Sequence, residues 1–148
     1  MKAKVLFALA VACLVAADKQ DAGKKDQDSL QGTWVLKSIE RGGKEVNLDQ
    51  DEHIPRTITF KGDQVRLAHK QGEHKGTFKL GQEGKTGTID LTPDDPQHKD
   101  RPLRALYRVE GDTLTICVNE AKNGDRPKEF AAKEGSHQAV VTFTREKK

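Results

Sequence analysis

Residues 103–119, LRALYRVEGDTLTICVN, read as two β-strands folded about a tight turn. Leu114, Ile116 and Val118 fall on one face of the second run, and Thr113, Thr115 and Cys117 fall on the other. That two-residue period is the signature of a half-buried strand. Gly111-Asp112 separates the two runs at hairpin spacing, and glycine supplies the positive φ that a primed turn requires. The runs are therefore antiparallel neighbours.

The same grammar extends outward in both directions. Eight strands are expected, over residues 33–40, 56–61, 64–69, 75–80, 86–91, 103–110, 113–119 and 138–145. Gly62-Asp63 repeats the tight turn between the second and third. In the last run Ala139, Val141, Phe143 and Arg145 share one face, opposite Val140, Thr142 and Thr144. Eight antiparallel strands with mostly short connections can close into an up-and-down barrel, whose interior is filled by side chains or holds one small ligand. An open two-sheet sandwich is the alternative this pattern leaves. Two longer polar connections span residues 93–102 and 120–136, and prolines at 93, 96, 102 and 127 are expected to keep them out of regular ladders.

Ahead of the strands the composition changes. Lys2 and Lys4, an apolar run over residues 5–14 and the small Val15-Ala16-Ala17 have the layout of a secretory signal, with cleavage expected between Ala17 and Asp18. The apolar run falls well short of the roughly 20 residues a membrane-spanning helix needs. Ala10-Val11-Ala12-Cys13 also loosely matches a lipoprotein box, so a membrane-anchored lipoprotein with lipid on Cys13 stands as the alternative to a free periplasmic or extracellular protein. Residues 18–28, rich in Lys, Asp, Gln and Gly, are expected to be a disordered linker, with the domain spanning 29–148.

Of the 26 basic residues, Lys2 and Lys4 leave with the signal, so 24 remain against 23 acidic residues. The signs are mixed along the chain, with no basic stripe able to track phosphates, which argues against nucleic acid as a partner. Only Cys117 remains of the two cysteines, so no internal disulfide can form.

Chemistry-bearing motifs are sparse. Among the histidines at 53, 69, 74, 98 and 137, His69 and His74 could approach across a hairpin, but no third ligand accompanies them at a recognisable spacing, and solvated turn histidines are the reading adopted. Cys117 lacks an activating partner that sequence can place. Asp94-Asp95 is not set in a dense calcium-loop pattern, and neither a Gly-rich phosphate loop nor a Gly-x-Ser-x-Gly elbow occurs. No enzyme, cofactor or metal is expected, and the chain is expected to be a monomer.

Leu30-Gln31-Gly32-Thr33-Trp34 resembles the Gly-x-Trp opening of lipocalins and their calycin relatives. That resemblance implies that Arg145 packs over Trp34 and closes one end of a barrel, a cation–π contact of roughly 0.5 to 2 kcal/mol. A wider set of segments is similar to a family of small exported uncharacterised domains abundant in planctomycetes. These segments are Glu40-Arg41-x-Gly43-Lys44-Glu45, Phe60-x-Gly62-Asp63, Gly76-Thr77-Phe78, Thr88 to Thr92, Tyr107, Gly111 to Leu114 with Cys117, and Arg126-Pro127-x-x-Phe130. Together they run from Leu30 to Arg145, and they imply a lipocalin-like barrel without implying an activity.

The function expected from these readings is a binding module for a small apolar or amphipathic molecule. Leu36, Tyr107, Arg126, Phe130 and Phe143 are its candidate ligand-binding residues, while the plainer reading of Arg126 and Phe130 is that Phe130 plugs the barrel mouth and Arg126 pairs with a neighbouring acid. The alternative is a protein-interaction domain, such as an extracellular protease inhibitor. An apolar cavity of about 300 Å³ or more favours the first, and a filled interior favours the second.

Overall fold

The computed structural model describes residues 26–97, 99–121 and 124–147. The chain divides into two compact units, residues 1–30 and 31–148. Of the first, residues 26–30 are described and form a short helical segment, which includes the end of the expected linker. The expected signal, Cys13 and the rest of the linker lie outside the described residues. Among the described residues no helix is long and apolar enough to cross a membrane.

The second unit carries nine strands: β1 (Gly32–Arg41), β2 (Lys44–Glu45), β3 (Thr57–Lys61), β4 (Gln64–His69), β5 (Gly72–Glu83), β6 (Thr86–Pro93), β7 (Leu103–Glu110), β8 (Thr113–Asn119) and β9 (Gln138–Arg145). Every pairing is antiparallel, the strands from β3 to β9 lie side by side in sequence order, and β9 returns to pair with β1. This last ladder closes β1 and β3 to β9 into an eight-stranded up-and-down barrel, with β2 hooked onto the end of β1, and rules out the open sandwich. At Gly62-Asp63 and Gly111-Asp112 the glycine φ values are 61° and 59°, and the flanking pairs Lys61 with Gln64 and Glu110 with Thr113 close two-residue loops. Only the first turn residue has positive φ, the pattern of a type II′ hairpin that follows the right-handed strand twist.

Alternation decides what fills the barrel. Trp34, Ile58, Phe60, Ile89, Ala105, Leu114 and Phe143 all point inward and are buried, and Phe60 meets Phe78 edge-on with ring centroids 4.9 Å apart. A buried aromatic of this kind contributes about 3 to 5 kcal/mol by its loss on truncation to alanine. A bulge falls between Leu36 and Ser38, so that Lys37 is the extra residue. It moves the inward positions of β1 from even numbers to odd ones, and Ile39 thereby joins Ile54 and Ala139 in a second cluster, with Val46 and Leu48 packed against it.

The structure differs from the expected boundaries by one residue at each end of β1 and at the start of β3, and more widely at three further places. The short strand β2 is added. β5 starts earlier and runs on through Gly81, a position of close approach where a Cβ would meet Thr88 Oγ1 at 2.8 Å. Pro93 lies inside the ladder and not outside it, paired with Gly76 as the last residue of β6, where a missing N–H is tolerated at a strand end.

Gly76 also sets the spacing of β5 and β6, because a Cβ built there would lie 2.2 Å from the Thr92 carbonyl oxygen. Gly76→Ala is expected to destabilise the protein by about 1 to 3 kcal/mol through forced backbone displacement. A drop in the urea midpoint measures this; an unchanged midpoint would show that β6 does not approach so closely.

Candidate functional site

At the end of the barrel carrying the Gly62 and Gly111 turns, Trp34 and Arg145 are in register across the closing ladder. The guanidinium carbon of Arg145 sits 4.2 Å from the Trp34 ring centroid. Its Nη1 donates to the Gln31 carbonyl at 3.1 Å, and its Nε lies 3.5 Å from Asp112 Oδ1. One cation thus ties the start of β1, the end of β9 and the β7–β8 turn.

The five candidate ligand residues do not converge. Leu36 and Phe143 are cross-strand partners inside the barrel. Tyr107 is buried inside opposite Gly87, whose missing side chain makes room: a Cβ there would meet the ring at 2.6 Å. Arg126 and Phe130 instead belong to the segment after β8, which lies against the outer wall. Phe130 therefore stands outside the barrel, not at its mouth, with the Arg108 guanidinium 4.7 Å from its ring centroid. Arg108 is on the outward face of β7 because Tyr107, its neighbour, takes the inward position.

Arg126 is the anchor of this covering segment. Its Nη1 donates to the Ala105 carbonyl at 2.9 Å, its Nη2 lies 2.7 Å from Asp90 Oδ1, and its Nε is 3.6 Å from Glu83. The Asp90 approach is too oblique for a hydrogen bond and acts by charge. Pro127 beside it is fully buried, and Gly43 N–H donates to the Ala132 carbonyl. Beneath the segment lies Cys117, whose Sγ contacts the carbonyl oxygens of Glu129 at 3.4 Å and Ala131 at 3.6 Å. Burial, aided by the nearby Glu129 charge, pushes the thiol above its ordinary range, against the opposing contact to Ala131. Its partners are backbone carbonyls and none is a histidine.

Between the covering segment and the wall runs a shallow recess of about 350 Å³, bordered by Glu40, Arg108, Phe130 and Val140. A second outer groove of about 490 Å³ lies over β3, β4 and β5, lined by Thr59, Lys61, Gln64, Arg66 and Lys75 with Asp94 at its rim. On the inward side near Gly76, an apolar cleft between Leu67, Leu91 and Pro93 measures about 50 Å³.

At the other end of the barrel His69 and His74 come together with ring centroids 5.0 Å apart, and His53 adds a third ring 6.1 Å from His69. His53 comes from the loop between β2 and β3, sixteen residues away, which spacing within a hairpin could not reveal. The Gln71 N–H donates to His69 Nδ1 at 3.2 Å, and Gln71 Nε2 donates to Glu52 at 2.7 Å. Among the described residues no group of three or more His, Cys, Asp or Glu is arranged to hold a metal ion. Arg56 is a further residue the sequence did not single out: its Nη2 donates to the Leu48 carbonyl, and its buried Nε has no hydrogen-bond partner among the described residues.

No family model and no curated protein matches the chain. Among solved structures it is similar to a DUF4847 family protein from Bacteroides vulgatus, at 17% identity and a TM-score of 0.44, over 80% of this chain and 95% of that one.

Two outcomes follow for the covering segment. Arg126→Ala is expected to raise the rate at which a disulfide reagent labels Cys117 in the folded protein by about tenfold, following the 1.4 kcal/mol-per-decade relation for local opening; an unchanged rate would show that Arg126 does not hold the segment down. The second concerns alkaline pH. A raised thiol value in the folded state means that its contribution to stability is complete below the ordinary 9.0 and is lost as pH rises through the higher folded value. Cys117→Ala should therefore narrow the difference in unfolding free energy between pH 7 and pH 10, and an equal difference in both proteins would contradict the burial of the thiol.

Proposed function

We propose that this chain is an exported, non-enzymatic binding module of the lipocalin-like, calycin type, related to the planctomycete family whose pattern it resembles, and that it meets its partner on its outer wall. The observation that carries this reading is the closely packed layer around Trp34 inside the barrel. Trp34, Ile89, Ala105 and Leu114 have no exposed surface, so no solvent-sized void lies against them. The inward cleft of about 50 Å³ is far below the roughly 300 Å³ of an ordinary ligand pocket.

The outer wall supplies what the interior lacks. Two recesses of about 490 and 350 Å³ sit there, and the covering segment that borders the smaller one is fixed by the Arg126 contacts and the buried Pro127. A fixed, preorganised surface loses less conformational freedom on binding than a mobile one. The partner class consistent with this is an extracellular macromolecule, and an inhibitor of an extracellular protease is one form of it. The small-ligand reading is supported by the apolar lining of the 50 Å³ cleft, which would take only a fragment of an apolar molecule. Export rests on the leader, which directs the chain to the periplasm or the extracellular space, or to a membrane by lipid on Cys13.

Native mass spectrometry of the protein purified from its host, together with titration of an environment-sensitive apolar dye, tests the reading. The expected result is a mass free of a retained apolar molecule and no saturable dye binding. A stoichiometric apolar adduct or a one-to-one dye complex would return the ligand-carrier function to first place.

A further inference from the structure

The larger outer groove places charge where the fold alone gives no reason for it. Arg66 and Lys75 stand directly opposite each other on β4 and β5, a like-charge cross-strand pair that destabilises a sheet. Glu73 is shared between them, 3.7 Å from Arg66 Nε and 3.4 Å from Lys75 Nζ, so one carboxylate serves two cations. Lys61, on the neighbouring strand and lining the same groove, has no acidic partner among the described residues. Gln64 and the Thr59 hydroxyl, itself 3.0 Å from that of Thr33, complete the floor, and Asp94 is held at the rim by its N–H donating to the Lys75 carbonyl at 3.0 Å.

We propose that this groove binds an acidic saccharide, a sugar chain bearing carboxylate or sulfate groups, with Lys61, Arg66 and Lys75 taking the anionic group. This rests on the outer-wall reading and names its ligand class. The remaining lining decides in favour of a sugar over a bare anion: the Gln64 amide, the Thr59 hydroxyl and the Asp94 carboxylate are the donors and acceptors that sugar hydroxyl groups need and that a bare anion would leave unused. Three cations confined to one concavity also differ from the extended basic face that tracks a nucleic-acid backbone.

The test is titration of the full chain with polygalacturonate, dextran sulfate, unmodified dextran and an oligothymidylate. Binding is expected for one or both acidic polysaccharides, which identifies carboxylate or sulfate as the source, and dextran and oligothymidylate should bind at least tenfold more weakly. The variant Lys61→Gln/Arg66→Gln/Lys75→Gln should weaken the acidic polysaccharides by at least tenfold. The charge-matched variant Lys44→Gln/Arg104→Gln/Lys128→Gln, away from the groove, should change them by less than twofold. Equal losses in the two variants, equal binding of oligothymidylate, or no binding of either acidic polymer overturns the proposal. In that last case an interior that still excludes the apolar dye leaves the outer-wall reading standing, whereas saturable dye binding removes the reading beneath it.

Discussion

The closing ladder between β1 and β9, and the Arg145 guanidinium laid over Trp34 at its end, is the constraint on which the rest of the molecule depends. Without that pairing β1 and β9 would each present a row of unsatisfied backbone donors and acceptors, the exposed edge that promotes association. The residues they pair lie about a hundred positions apart in sequence, so closure carries a large loop entropy. Arg145 offsets part of it locally. It satisfies the Gln31 carbonyl, faces Asp112 in the β7–β8 turn, and covers an indole that is otherwise the largest apolar group at that end.

Closure with these side chains has a consequence for recognition. The inward faces of β1, β3, β6, β7, β8 and β9 carry Trp34, Ile58, Phe60, Ile89, Tyr107, Leu114 and Phe143, all of them buried. Gly87 makes this explicit, since it gives its own side-chain volume to Tyr107. Recesses lie on the outside, beside the covering segment anchored by Arg126 and in the charged groove over β3 to β5.

Strand existence was legible in the sequence because most runs keep a two-residue period and several end at a residue with a clear backbone reason to stop. The two Gly-Asp turns are examples. The Lys37 bulge was not legible: a single inserted residue shifts the inward face, and alternation read across it misplaces Ile39. Pro93 reads as a break because the residue type carries that meaning on average, while a strand-end position decides otherwise here. The sites were less legible still. Arg126 with Asp90 and Glu83, Cys117 beneath Glu129, and His53 beside His69 each join segments from separate parts of the chain. Sequence spacing has no access to such pairs. Phe130 shows the same limit, since nothing in Arg126-Pro127-x-x-Phe130 tells the inside of a barrel from its outer wall.

The most direct measurement of the account is a double-mutant cycle on the closing contact, with Trp34→Leu, Arg145→Met and the pair compared by equilibrium unfolding. Stacking of the guanidinium on the indole across the β1–β9 ladder predicts a favourable coupling of about 0.5 to 2 kcal/mol. Strictly additive losses would mean that the two side chains do not meet in solution, and would contradict the closed ring.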